Sequence, residues 1–543
     1  MATETYDSII IGGGSAGCVV ANRLSARSGR RVLLLEAGRQ EQSPLIRMPA
    51  GFASVSSNSR FLWGYSTEPE PYLDNRRIAC ERGRLLGGCS SINAMAFVRG
   101  HPADFDGWAT VAGAQWSYAN CLPHFKSLER FSEPKGPRGN NGPLSVIAPE
   151  YSCALNELFV QACVSAGFPQ VKDINATKPD GVGPMDQTID HGERASAATA
   201  FLAPLRRHPN LEVRTAALVT RIVLSRGRAI GVEISTARGT STIYANEIVL
   251  SAGTINSPQL LMLSGIGPSD HLRETGVEPV HDLPGVGQNL QDHVDVSLMK
   301  ECVAPISASP LLAPHRKLLL GLRWLLSSGG PGATNHFEVA AYVRTSPELQ
   351  RPDIQYCFIP MLTSTDGSRM GKGHGYQIAV MLLQPKSRGT VMLRDRNPLS
   401  PPLIRFNYLK EPDDIHSLRQ GLVTLRRILD EAPMAAVSGE ELSPGPSNVT
   451  DSDLDRFIRA TAKSTHHPCG TCRMGNDDSS VVDGWGRVHG IEGLRVVDAS
   501  IMPVITAGNI NAPTMMIAEK IANHMLSGAT ARPRAQRAFG RTE

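Results

Sequence analysis

A β-branched run, Ser8-Ile9-Ile10-Ile11, passes directly into three glycines, Gly12, Gly14 and Gly17, spaced G-x-G-x-x-G. Helical periodicity follows over Cys18 to Leu24, and a second apolar run, Val32 to Leu35, ends in Glu36. The acid lies about twenty residues beyond the glycines, which completes the βαβ pattern of a dinucleotide-binding unit. In such a unit Gly12 makes the tight turn, Gly14 lets backbone approach a pyrophosphate, and Gly17 lets helix and strand pack closely. The helix N-terminus offers free N–H groups and about half a positive charge to the phosphates. Glu36 is placed to accept hydrogen bonds from a ribose, and its charge argues against a 2′-phosphate. An α/β fold follows from this segment; the choice between nicotinamide and flavin stays open.

A chain of 543 residues exceeds one ordinary core, so two domains are expected. The formal net charge of +4 is small for this size and gives no case for nucleic acid. Ten cysteines at irregular spacing fit a reducing compartment better than a disulfide scaffold. The N-terminus has no secretory pattern and no run of about 18 apolar residues occurs, so the expectation is cytoplasmic, with no spanning helix. Leu311 to Leu326, where His315, Arg316, Lys317 and Arg323 interrupt leucines and Trp324, reads as a helix with one solvated face. Its alternative is a peripheral contact with the inner membrane. The polar stretch 527–543 is expected to be a disordered tail.

Strand-like runs recur at Leu211 to Leu224 and Glu247 to Ala252, and again near the C-terminus at Leu494 to Asp498. Between about 300 and 465 the pattern changes to alternating strands, such as Asp353 to Ile359 and Tyr376 to Leu383, mixed with helices such as Asp414 to Leu429. Apolar strands near both chain ends imply a cofactor domain of separated segments, with the second domain inserted. The expected segments are 1–155, 195–300 and 466–526 for the first and 156–194 and 301–465 for the second.

Two C-terminal clusters carry chemistry. They are Thr465-His-His-Pro-Cys-Gly-Thr-Cys-Arg-Met-Gly475 and Ala507-Gly-Asn-Ile-Asn-Ala-Pro513. Histidine accepts a proton near neutral pH, and asparagine offers both donor and acceptor to a hydroxyl. A His/Asn pair beside a flavin therefore suffices to oxidise an alcohol. The structural alternative is a loop in which the histidine caps carbonyls. His467-x-Cys469-x-x-Cys472 also looks like half a zinc site, but no second pair of ligands exists and no metal is expected.

With these residues the chain resembles the glucose–methanol–choline (GMC) flavoprotein oxidoreductases from Tyr6 to about Met525. The glycines with Glu36 carry the resemblance, together with Gly83-Arg-Leu-Leu-Gly-Gly-Cys-Ser-Ser-Ile-Asn-Ala94, Ser251-Ala-Gly-Thr-Ile-Asn-Ser-Pro258, Leu283-Pro-Gly-Val-Gly-Gln-Asn-Leu-Gln-Asp-His293 and both C-terminal clusters. Within the family it is most similar to the choline-dehydrogenase type and to FAD-dependent alcohol dehydrogenases, through stretches such as Thr334-Asn-His-Phe-Glu338. The resemblance implies a Rossmann-like FAD-binding domain with an inserted α+β substrate domain on a mostly antiparallel sheet. It implies FAD with its pyrophosphate at Gly12, Gly14, Ser15, Ala16 and Gly17 and its ribose at Glu36. Arg84, Gly88, Ser91, Asn93 and Ala94 would run along diphosphate and flavin, Val219 would meet adenine, and Asp498, Asn509 and Asn511 would line the flavin.

His467 matches the family's catalytic histidine and Asn509 the second catalytic position. The expected reaction is removal of the alcohol proton by His467, with Asn509 orienting the oxygen and hydride passing to flavin N5. Ile92, Glu338, Cys357 and His466 are expected at the substrate pocket. Ile92 stands where some relatives carry a histidine bonded to the flavin, so non-covalent FAD is expected. Cys357 stands where many relatives have a histidine, which favours a neutral aliphatic or aryl alcohol over choline. A non-redox lyase of the same family is the other alternative. The partners expected are a small-molecule alcohol and an electron acceptor, either a quinone or other carrier or O₂; the oligomeric state stays open.

Overall fold

The computed structural model describes residues 5–27, 29–133, 136–176, 180–362 and 373–528. Ser527 and Gly528 finish the last helix, Asn511–Gly528, and the rest of the expected tail lies outside the described residues.

Two seven-stranded sheets organise the molecule. In the first, Thr5–Ile11 runs parallel to Val32–Leu35 on one side and to Gly239–Leu250 on the other. Leu211–Arg214 extends it past Val32–Leu35, and Leu494–Val496 pairs in parallel with Ile248 to Leu250. Gly239–Leu250 serves two partners along its length. Its C-terminal half joins the parallel sheet, and Gly239 to Tyr244 turn antiparallel to Arg228–Thr236, which in turn pairs with Leu218–Ser225. Ile9, Ile10, Leu33 and Leu34 are all fully buried, which is why these strands read as unbroken apolar runs and not as alternation. The helix Ser15–Ser25 covers one face and packs on Asn511–Gly528. The two ends of the chain are tied there by Ser15 Oγ donating to Asn511 Oδ1 at 2.7 Å and by an Arg23–Glu519 ion pair at 2.6 Å.

The second sheet is antiparallel throughout, in the order Ser438–Ser443, Val294–Cys302, Gly375–Leu382, Ile354–Ile359, Val339–Val343, Gly181–Pro184. Lys463–Ser464 adds beside Val294 and Asp295. The boundary expected at 300 falls inside Val294–Cys302, which pairs along its length with Gly375–Leu382 and belongs wholly to this sheet. Period-two alternation divides the side chains. Val294, Val296, Leu298, Tyr356, Phe358, Ile378 and Val380 form one core, where Phe159 from the helix Ala154–Ser165 stacks on Phe358 at 4.7 Å. Asp295, Cys357, Ile359, Gln377, Ala379 and Met381 face the other way, onto a cavity.

Candidate active site

The cavity, of about 870 Å³, is walled by both sheets. At one end lie Gly12, Gly14, Ser15, Ala16, Glu36 and Val219. Gly12 has φ 97°, and a Cβ on Gly17 would sit 1.9 Å from the Gly12 carbonyl oxygen, so neither position admits a side chain. Gly14 differs: a Cβ there meets nothing closer than 4.0 Å, because it would point into the open cradle above the helix N-terminus. Glu36 is clamped by two backbone donors, Gly13 N–H at 2.8 Å and Gly38 N–H at 2.7 Å. Burial pushes its pKa up to about 7 against the pull of those donors and of Arg84.

The middle of the cavity is lined by Gly88, Ile92, Asn93, Ala94, Asp498 and Asn511. Asp498 accepts from Gly253 N–H at 2.9 Å, Ser257 Oγ at 2.6 Å and Ser500 N–H at 2.8 Å. Asn93 Oδ1 accepts from Met95 N–H and from Arg194 Nη1, both at 3.0 Å.

Four expected site residues lie off the lining. Gly17 is consumed by helix–turn packing. Arg84 lays its guanidinium over Trp63 at 4.7 Å and reaches the cavity only through its field on Glu36. Ser91 Oγ donates to Leu86 O at 2.9 Å and braces the turn behind the wall. Glu338 is the substantive correction. Its carboxylate turns to the opposite face of the sheet, where Ser152 N–H at 2.7 Å, Asn156 Nδ2 at 2.6 Å and Thr334 Oγ1 at 3.0 Å donate to it. The start of the helix Ala154–Ser165 captures this acid, and it does not line the cavity.

At the far end His467 Nε2 lies 3.1 Å from Asn509 Nδ2, and both residues line the cavity. The His467 backbone N–H donates to Asp292 Oδ1 at 2.7 Å, while Ser464 and Tyr408 hydroxyls donate to the other carboxylate oxygen. His466 adopts φ 63°, its carbonyl accepting from Arg82 at 2.7 Å, and this lets two successive histidines reach the same space. Burial, reinforced by His293, His466 and Arg82, holds His467 well below the ordinary histidine pKa, so its ring is neutral. His466 is pushed down to about 3, chiefly by burial. The Cys357 thiol lines the wall, accepts from Gln355 Nε2 at 3.2 Å, and is pushed up to about 12 by burial, so it is neutral. Cys469 and Cys472 pack into the hydrophobic core instead, separated from the function of His467.

Several groups here were not singled out from sequence. His293 Nδ1 lies 3.0 Å from His467 Nδ1, and Thr465 Oγ1 lies 3.0 Å from the same atom. The Asp292-His293 pair closing the Leu283 motif was the available signal. His336 also lines the cavity, with Nδ1 buried and unpartnered, as is Asn509 Oδ1. A glycine cradle at one end and unpartnered polar atoms at the other suit an elongated dinucleotide whose ring system ends beside His467.

A family model described as GMC oxidoreductase matches residues 6–295 and 385–518. The chain is 45% identical over 524 residues to an oxygen-dependent choline dehydrogenase of Brucella suis biovar 1 (strain 1330), covering 96% of this chain and 95% of that one. Pyridoxine 4-oxidase from Mesorbium loti superposes with a TM-score of 0.89 at 33% identity, covering 96% of this chain and 99% of that one. Formate oxidase of Aspergillus oryzae RIB40, studied for modification of its FAD, superposes with a TM-score of 0.91 at 27% identity, covering 98% and 99%. With family matches over most of its length and full-length relatives well above 30% identity, the chain belongs to the GMC oxidoreductases.

Proposed function

We propose that this FAD-dependent oxidoreductase, which acts on a CH–OH group, oxidises a small primary alcohol of the choline type to its aldehyde, with His467 as general base. The observation that carries this reading is the neutral His467 ring with its Nε2 beside the Asn509 amide at the cavity wall. FAD, when bound, supplies the hydride acceptor. Gly12, Gly14, Ser15, Ala16, Glu36, Val219, Asp498 and Asn511 would hold it, and the hydrocarbon of Ile92 at the wall offers no atom for a covalent link at that position, which supports a cofactor held by contacts alone. His467 Nε2 takes the hydroxyl proton, the Asn509 amide orients the oxygen, and the buried walls exclude water from both. The segments 1–155, 195–300 and 466–526, with the sheet change moved before Val294, form the cofactor domain of this reading.

Three features of the walls favour a second substrate class. Glu338 is turned away, Cys357 is neutral, and the Asp295 carboxylate facing the cavity has Lys463 Nζ 3.8 Å away. A neutral aliphatic or aryl alcohol fits those walls, whereas the Brucella relative supports choline. Anaerobic mixing of the holoenzyme with choline, aliphatic and aryl alcohols decides between them by which bleaches the flavin band fastest. No bleaching across the panel would favour the lyase. Readmitting air then tests O₂ as acceptor, which the relative's oxygen dependence supports, against a quinone or other carrier.

The helix Pro314–Ser327 exposes Leu318, Leu319, Leu322, Leu325 and Leu326 beside Arg316 and Arg323, while Lys317 and Leu320 reach the cavity wall. No described helix is long and apolar enough to cross a membrane. The exposed leucines support a peripheral contact with an anionic bilayer. Cosedimentation with anionic but not neutral vesicles is the expected result, and none with either rejects the contact.

A further inference from the structure

We infer that His293 is a positioning residue that holds His467 in its Nδ1–H tautomer and thereby leaves Nε2 bare to receive the substrate proton. This rests on the general-base reading of His467 and adds the group that sets the base.

The hydrogen-bond chain has a fixed direction at both ends. His293 is fully buried, and its Nε2 lies 3.2 Å from the carbonyl oxygen of Leu383. A carbonyl only accepts; the Thr506 carbonyl also acts on the ring, but the hydrogen bond that forms is the one from Nε2 to Leu383, so His293 carries its hydrogen on Nε2. Burial pushes the His293 pKa down to about 3, so the ring is neutral and its Nδ1 is a lone pair. That lone pair faces His467 Nδ1 at 3.0 Å. Two bare nitrogens at this distance repel, so the hydrogen between them belongs to His467. Thr465 agrees: its Oγ1 donates to the His293 carbonyl at 3.0 Å and has only a lone pair left for His467 Nδ1. From the other side, Asn509 Nδ2 is a donor and lies 3.1 Å from His467 Nε2, which must therefore accept.

Other charged or titratable groups around the ring do not compete for Nδ1. His466 and Arg82 act on it only through their fields, and Asp292 is bonded to the His467 backbone. In turnover the alcohol O–H proton moves to His467 Nε2, the C–H hydride leaves to bound FAD, and the C–O bond becomes C=O. His467 is then a cation whose Nδ1–H still points at the His293 lone pair, so the acceptor that selects the tautomer also stabilises the charge.

The test uses the holoenzyme and reads anaerobic flavin reduction against pH, with FAD content checked. His293→Asn puts Oδ1 near the place of Nδ1 and should reduce flavin within about threefold of the unaltered rate, with the same acid limb. His293→Leu removes the acceptor and should slow reduction by about tenfold or more at unchanged alcohol affinity. Equal rates for His293→Leu and the unaltered enzyme overturn the inference, as does equal loss in both variants. His467→Ala separates the two levels. If it still reduces flavin, the general-base reading fails; if it is inactive while His293→Leu is not slowed, only the role of His293 falls. Should His293→Leu lose its FAD, neutron diffraction of the deuterated holoenzyme decides. Deuterium on His467 Nδ1 and His293 Nε2 is expected, and deuterium on His293 Nδ1 overturns the inference.

Discussion

His467 and Asn509 meet because Asp292 anchors the His467 backbone and His466 takes a left-handed turn beside it. Replacing His467 with Ala should slow flavin reduction by about 10²–10⁴-fold, the usual worth of a positioned base, with FAD still bound. The pH dependence follows from the depressed pKa. The active form is the neutral ring, so kcat/KM should be flat through neutrality and fall as pH drops. Burial, with His293, His466 and Arg82 beside it, holds His467 well below the ordinary histidine range, so the limb should lie on the acid side of neutrality. A decline beginning above pH 7 in steady-state kinetics would contradict this. Glu338 gives the opposite kind of prediction. Ser152 N–H and Asn156 Nδ2 share one carboxylate oxygen, and a glutamine could keep both there and donate its amide to Thr334 Oγ1. Glu338→Gln therefore exchanges carboxylate for weaker amide acceptors and should cost about 1 kcal/mol of stability. KM for the best alcohol should hardly move; a large rise in KM at unchanged melting temperature would put Glu338 back at the substrate.

Among elements, the first turn after Thr5–Ile11 separates fold from cofactor. Gly14→Ala has room in the protein, so the apoprotein should melt normally while FAD affinity falls by about 100-fold or more, measured by fluorescence titration. Gly17→Ala collides with the Gly12 carbonyl and should lower the melting temperature of the apoprotein itself. Equal effects in both would show that the cradle is structural only. The helix Gly253–Leu263 shows why element bounds escape sequence reading. Pro258 suggests a helix start, yet the helix begins five residues earlier. Asp498 accepts its first N–H, and the Thr254 carbonyl that Pro258 cannot serve accepts the Thr471 hydroxyl at 2.6 Å. Both supports come from more than 200 residues away in the chain.

For the molecule as a whole, the cavity draws its walls from residues 11 to 514, so unfolding of either sheet releases the cofactor. FAD should therefore stabilise the fold by mass action, about 2.7 kcal/mol at a free concentration 100-fold above Kd. The apoprotein should melt lower and recover on adding FAD; identical curves with and without FAD would show that the cavity does not hold it. Local patterns were enough for the βαβ unit, the antiparallel strands near 354–359 and 375–382, and the two loops that carry His467 and Asn509. Periodicity, turn glycines and short polar clusters are encoded within a few residues of each other, so they can be read along the chain. The direction of Glu338, the cap on Gly253–Leu263 and the contact of His293 with His467 across 174 residues were settled by folding alone. Each depends on which buried donor finds which acceptor once the sheets pack, and that matching is a property of distances in space that no stretch of the chain contains.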